Sequence, residues 1–227
     1  MDPSQKQIKS ADSTRQFVRM IERADFPCVG AKSALARGSL SIVHARSITS
    51  AWNDLQIHRD LIEWSSRWRE DFEGLRSLVI IFEGPIDLDE EQFETAMWHR
   101  LQSLADKDHW LGQRFDKTVS PDPHDAHFSL SFGGEAYFAV GLHPHASRPA
   151  RRFAHPAIVF NLHSQFEQLR KEGRFDRMRD RIMARDTALA GTPNPMLADH
   201  GETSPARQYS GRAVGPDWSC PFRDPRM

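Results

Sequence analysis

Apolar residues return at helical spacing in four stretches of the chain and cluster or alternate in five shorter ones. Phe17, Met20 and Ile21 mark a first helix, capped by Ser13 or Ser10 and ended at Phe26-Pro27. Trp52, Leu55, Leu61, Ile62, Trp64 and Trp68 mark a second, of about 20 residues, starting near Ser50. Asp87 to Asp106 carries acids in its first turn and Phe93, Met97, Leu101 and Leu104 on one face. An Arg-rich helix runs from Gln165 to Ala190. Strands are expected over Ser39–Arg46, Leu78–Phe82 and Ala157–Leu162. Phe128–Phe132, Gly133-Gly134 and Ala136–Leu142 read as a hairpin. Strands and helices interleave around an antiparallel hairpin. The pattern therefore predicts an α+β fold: one domain over residues 13–223, a largely antiparallel sheet packed with helices, after a flexible N-terminal segment, 1–12.

From Thr192 onward the periodicity is lost among prolines and glycines, yet Tyr209, Trp218 and Phe222 remain. Three large aromatics in such a stretch predict an ordered coil wrapped on the domain. The longest apolar run, Leu78 to Phe82, is far short of the roughly 20 residues that span a bilayer. Met1 to Arg15 has no apolar core of a signal peptide. The expectation is a cytoplasmic protein with reduced thiols.

Charge changes the picture only when divided. The net charge is −1, which leaves no global field for nucleic acid, but the chain holds 24 Arg against 6 Lys, with 11 His. Along Arg170, Arg174, Arg177, Arg181 and Arg185 the cations are interleaved with Glu167, Asp176, Asp180 and Asp186, as on a solvated helix face. Arg148, Arg151 and Arg152 have no acid within their loop, so the sequence marks them as partners for an external anion.

Phosphate-binding loops, nucleophile elbows and zinc-protease signatures are absent. Four clusters carry what chemistry there is. Gly141-Leu-His143-Pro-His145-Ala-Ser147-Arg148-Pro-Ala-Arg151-Arg152-Phe153 delivers a histidine from a strand end into an Arg-rich loop. Phe160-Asn161-Leu-His163-Ser-Gln165-Phe166 puts a second histidine at a strand-to-helix junction, where Asn161 or Ser164 would equally serve as caps. Phe26-Pro-Cys28-Val-Gly30 is a Cys-x-Gly turn whose amides can donate to a thiolate, although a lone cysteine is more often a small buried hydrophobe. Cys220 shares that reading, and a folded-back tail would bring the two thiols together. Asn194-Pro-Met-Leu-Ala-Asp199-His-Gly-Glu202 with Arg207-Gln-Tyr-Ser-Gly211 reads as a lid or site wall.

Taken together, and in this order, these motifs with Cys220-Pro-Phe222 resemble the YqcI/YcgG family over residues 24–223. Some members of that family are haem-dependent N-oxygenases that hydroxylate guanidine or amine nitrogens. The resemblance implies haem as cofactor, a small amino-acid-like substrate and an electron donor or peroxide as further partner, while the near-neutral charge and short apolar runs give the expectation of no nucleic acid and no membrane. A homodimer is left open. Haem needs an axial ligand and anchors for two propionates. His143 is the first expectation for the iron, followed by His163 and Cys28. Arg148, Arg151, Arg152 and Ser147 are expected at the propionates, and Asp199 and Glu202 at the cationic end of a substrate. Two further readings stand beside it. One is a non-catalytic haem- or anion-binding module built on the Arg148/Arg151/Arg152 cluster; the other is a non-haem metal hydrolase using His143, His145 and His163.

Overall fold

The computed structural model describes residues 3–67, 74–196 and 202–227. Five strands form one sheet in the order β1-β2-β5-β4-β3, with β1 Leu40–Ser47, β2 Ser77–Gly84, β3 Leu130–Phe132, β4 Glu135–Leu142 and β5 Ala157–Leu162. β1 and β2 are parallel, joined by a crossover through helix α3 (Asp54–Ser66). Every other pairing is antiparallel, so the fold is α+β as the alternation of elements predicts.

The two sheet faces have different fates. Leu78, Ile80 and Phe82 of β2, Ile158 and Phe160 of β5 and Tyr137 and Ala139 of β4 pack against α3 and α4 (Glu90–Trp110) in the larger core. Alternate residues on the same strands, Val79, Ile81, Val159, Val140 and Leu142, face the other way. There they meet α1 (Pro3–Glu22) through Phe17 and Ile21, and α2 (Val29–Ala36) through Ala31 and Leu35. Asp89 caps α4 with a complete capping box to Gln92, three residues inside the expected start.

Three boundaries differ from expectation. α1 begins at Pro3, so residues 3–12, set apart in the sequence as a flexible segment, lie within the helix. The Arg-rich helix is two helices, α5 (His163–Lys171) and α6 (Phe175–Ala190), broken at Gly173, which takes a φ of 64°. The helix expected near Ser50 opens as a 3-10 turn, Ala51–Asn53, before α3, and Trp68 lies outside the described residues. From residue 202 onward the C-terminal coil packs against the domain. It holds a short helix, α7 (Ala206–Tyr209), and buries Tyr209, Val214, Cys220 and Phe222.

Candidate functional site

Between the second sheet face and helices α1, α2, α5 and α6 lies a cavity of about 370 Å³. Its walls are largely apolar: Val140, Leu142, Val159 and Phe138 from the sheet, Phe17 and Ile21 from α1, Phe166 from α5, Met178 and Ile182 from α6. That volume falls in the range of small-molecule sites.

Cys28 stands in this wall at the N-cap of α2. Its Sγ accepts from the Ala31 amide at 3.4 Å. Burial pushes the thiol pKa up, against the opposing pull of the Ala31 and Gly30 amides and of Arg151. In the Cys-x-Gly turn the Ala31 amide donates to the sulfur, and the residue borders an apolar space. Cys220 is buried beside α4 in the core on the opposite sheet face, so the two thiols are not neighbours.

The opposite pole of the cavity is polar. Asn161, on the cavity side of β5, accepts from Ser77 Oγ at 2.6 Å through Oδ1, so its amide is held by the paired strand β2. It does not cap α5, whose N-cap is Leu162. His163 sits at the same end. Its Nδ1 is 3.5 Å from Ser129 Oγ and its Nε2 is 3.1 Å from Glu167 Oε1. The imidazole therefore links a partly exposed carboxylate to a buried hydroxyl.

The expectation for His143 is overturned. Its ring lies flat on Phe93 of α4, with centroids 4.3 Å apart, on the sheet face away from the cavity. Nδ1 is buried without a hydrogen-bond partner, and burial pulls the pKa down to about 4. The reason is the strand alternation: Gly141 and His143 share the α4 side, while Val140 and Leu142 face the cavity. His143 and His163 also lie at opposite ends of the β4–β5 pair. Leu142 pairs with Ala157 and Tyr137 with Leu162, which separates the ends by about 17 Å. One metal ion cannot bridge them, and the three-histidine hydrolase site does not form. Among the described residues no group of three or more His, Cys, Asp or Glu is placed to hold a metal. His145 borders an open acidic hollow with Asp87, Asp89, Glu90 and Glu91, away from the cavity.

The arginine loop is also corrected. Arg148 pairs with Asp186 of α6 and donates to the carbonyls of Thr192 and Pro193 at 3.1 and 3.2 Å. Arg151 donates to the carbonyls of Gly141, Tyr209 and Gln208 at 3.0, 3.3 and 3.0 Å. Burial lowers its pKa to about 10. Arg152 bonds the carbonyls of Ala146 and Ser147, and Ser147 itself donates to Glu90. Arg148 and Arg151 still line the cavity, but Arg152 and Ser147 do not. The loop lacks an acid in sequence because its acid, Asp186, arrives from a distant helix. Glu202 is exposed and outside the cavity wall, and Asp199 lies outside the described residues.

A model of the YqcI/YcgG family matches residues 17–223 of this chain. The chain belongs to the YqcI/YcgG family. The matched span takes in every strand, the cavity and most of the C-terminal coil of this YqcI/YcgG protein. No curated protein and no solved structure matches it. No helix among the described residues is long and apolar enough to cross a membrane.

Proposed function

We propose that this YqcI/YcgG protein is a haem-dependent N-oxygenase whose cavity would hold haem, with Cys28 as the residue that would bind its iron. The observation that carries the reading is the position of Cys28: a cysteine sulfur, backed by helix N-terminal amides, in the wall of an otherwise apolar cavity. That donor set fits the group. A thiolate is the ligand that favours O–O cleavage in haem enzymes, and an apolar wall suits a porphyrin face. The family resemblance supplies the reaction class, hydroxylation of a guanidine or amine nitrogen in a small amino-acid-like metabolite. Dioxygen with two electrons from a donor and two protons, or peroxide alone, would supply the inserted oxygen atom, with water as the other product.

When bound, the haem would supply the oxygen-transfer chemistry. The chain would supply the rest. Cys28 Sγ would give up its proton on binding iron, and the Ala31 and Gly30 amides and nearby Arg151 oppose in part the burial that keeps it a thiol. His163, bridging Glu167 and Ser129, is placed to carry protons between solvent and the cavity at Nδ1. The apolar residues of α1 and α6 exclude water from the wall.

Hemin titration of the purified protein, followed in the Soret region, tests the reading. A saturable Soret band is expected, with the red-shifted ferrous carbonyl complex of thiolate ligation. Cys28→Ser should lose that red shift, while His143→Leu keeps it. A protein that gives no Soret band would sink the proposal. A red shift that survives Cys28→Ser would remove Cys28 as the ligand.

A further inference from the structure

The sheet separates the cavity from the α4 core, and the C-terminal coil joins the two at one edge. β3 pairs only with Glu135, Ala136 and Tyr137 of β4, so it leaves the outer edge of β4 uncovered from Phe138 to Leu142. α7 packs on β4, and Arg151 ties its end to Gly141 in that stretch. Tyr209 of α7 is fully buried and touches rings from both sides of the sheet. Phe138 and Phe128, in the cavity wall, lie against it with centroids 4.9 and 6.0 Å away. On the other side Trp98 of α4 stacks on it at 5.8 Å. Trp98 in turn meets Trp218 at 6.4 Å, and Trp218 is partly exposed. A line of closely packed rings thus runs from the cavity wall to the surface.

Tyrosine and tryptophan are the aromatic side chains that give up one electron most readily. The surroundings of these three differ in a way that suits a relay. Burial keeps Tyr209 a phenol, and its hydroxyl bonds Ser129 and donates to the Tyr137 carbonyl at 3.4 Å. Ser129 Oγ is 3.5 Å from His163 Nδ1, so a proton lost with the electron has a hydroxyl-to-imidazole route. The indole N–H of Trp98 is buried without a hydrogen-bond partner. No acceptor takes the proton of an oxidised Trp98, so the charge is not trapped there as a neutral radical and moves on. At Trp218 the Arg207 guanidinium, 5.6 Å from the ring centroid, opposes a lasting positive charge, and solvent is at hand to take the proton.

We infer that Tyr209, Trp98 and Trp218 pass electrons one at a time from the surface to the cavity, and so discharge an oxidant formed there when no substrate is bound. The inference rests on the haem reading above, which puts the oxidant in the cavity. Hydrogen peroxide discharged in this way takes up two electrons and two protons and gives two waters. Each electron leaves Tyr209 together with its phenol proton and is replaced from Trp98, then Trp218. A soluble reductant such as ascorbate restores Trp218 and ends as dehydroascorbate, its two protons balancing the two consumed.

The hemin-loaded protein, mixed with hydrogen peroxide in the absence of substrate, tests the route by freeze-quench EPR and by spin trapping with peptide mass spectrometry. The wild type should carry the trapped adduct at Trp218. Trp98→Phe, which keeps a ring in place, should lose that adduct and hold a tyrosyl signal at Tyr209. Trp64→Phe, whose ring packs on Tyr137 instead, should behave as the wild type. Ascorbate should protect the Soret band of the wild type from bleaching. Trp218→Phe, at a partly exposed ring, decides the matter if Trp98→Phe does not fold: loss of that protection supports the route, and unchanged protection overturns it. A wild type with no adduct at Trp218, or an adduct that survives Trp98→Phe, also overturns the route, while a normal Soret band leaves the haem reading standing. A protein without a Soret band overturns both.

Discussion

His143 gives the sharpest quantitative expectation. Its imidazole is only 1% exposed, stacked on Phe93, with a pKa pulled from 6.5 to about 4 by burial. The folded state thus holds the neutral ring, while the unfolded chain takes up a proton below about pH 6.5. Stability is unaffected above that pH, falls as the pH drops from 6.5 towards 4, and levels off below. A shift of this size corresponds to about 3 kcal/mol at the acid limit and about 2 kcal/mol at pH 5. Other groups titrate in the same window, among them His44, whose pKa burial also lowers, so the comparison must be with a variant. His143→Leu keeps an apolar contact with Phe93 and removes the ring whose Nδ1 has no partner. Urea unfolding at pH 7.5 and pH 5 measures the difference. The wild type should lose about 2 kcal/mol more than the variant on acidification, or roughly 4–8 °C in melting temperature for a chain of this size. Parallel loss in the two proteins would refute a neutral buried His143 and reopen it as a solvated residue.

Two further expectations concern the scaffold. A Cβ on Gly141 would stand 2.7 Å from both Met97 Sδ and Phe93 Cε1, so Gly141→Ala should cost about 1–3 kcal/mol in urea unfolding; an unchanged midpoint would mean that α4 does not press on β4 there. Asp108 is fully buried and accepts from His58 Nε2 at 2.6 Å, the Gly133 amide at 2.8 Å and Arg226 Nη1 at 2.7 Å. Asp108→Ala should therefore cost about 3–5 kcal/mol. Arg226 keeps its pair with buried Asp224, so adding Arg226→Met should destabilise further, but by less than Arg226→Met does alone, because the Asp108 contact is already gone; strict additivity would argue against the pair.

The fold was legible where burial imposes a period. β2 and β5 are continuous apolar runs because both faces of the central strands are covered, and α4 reads as a helix because one stripe meets the sheet. α2 was not legible. Its eight residues are short and carry Gly30, and its beginning is fixed by the side chain of Cys28 rather than by Ser, Thr, Asp or Asn. In the site, Cys28 and His163 were legible as local chemistry. His143 was misjudged because the loop sequence does not say which sheet face a strand-end residue takes, and a one-residue change of phase moves it from cavity to core. Asp186 was visible only as a helix acid; that it answers Arg148 depends on α6 folding back over the loop. An asparagine in a central, buried strand is unfavourable unless its amide is held, and Ser77 holds that of Asn161.

The excess of arginine over lysine acquires a structural reason from the C-terminal coil. A chain without helix or strand leaves its carbonyls without ladder partners, and each buried one must still find a donor. One guanidinium presents five N–H groups in a rigid fork and can hold several carbonyls at once, which an ammonium on a flexible stem does less well. Arg207 reaches the carbonyls of Val214, Gly215 and Trp218, and Arg151 ties the carbonyls of Gln208 and Tyr209 to that of Gly141 on β4. Arg212 engages Glu94 of α4, and Arg226 reaches Asp108 and the Ser131 carbonyl. These arginines fasten the coil to the sheet and to α4, and so hold one end of the cavity wall in place. The arginine-dense loop is likewise engaged by the protein's own carbonyls and by Asp186, which is why a run of cations without a local acid in the sequence does not amount to an open anion site in the fold.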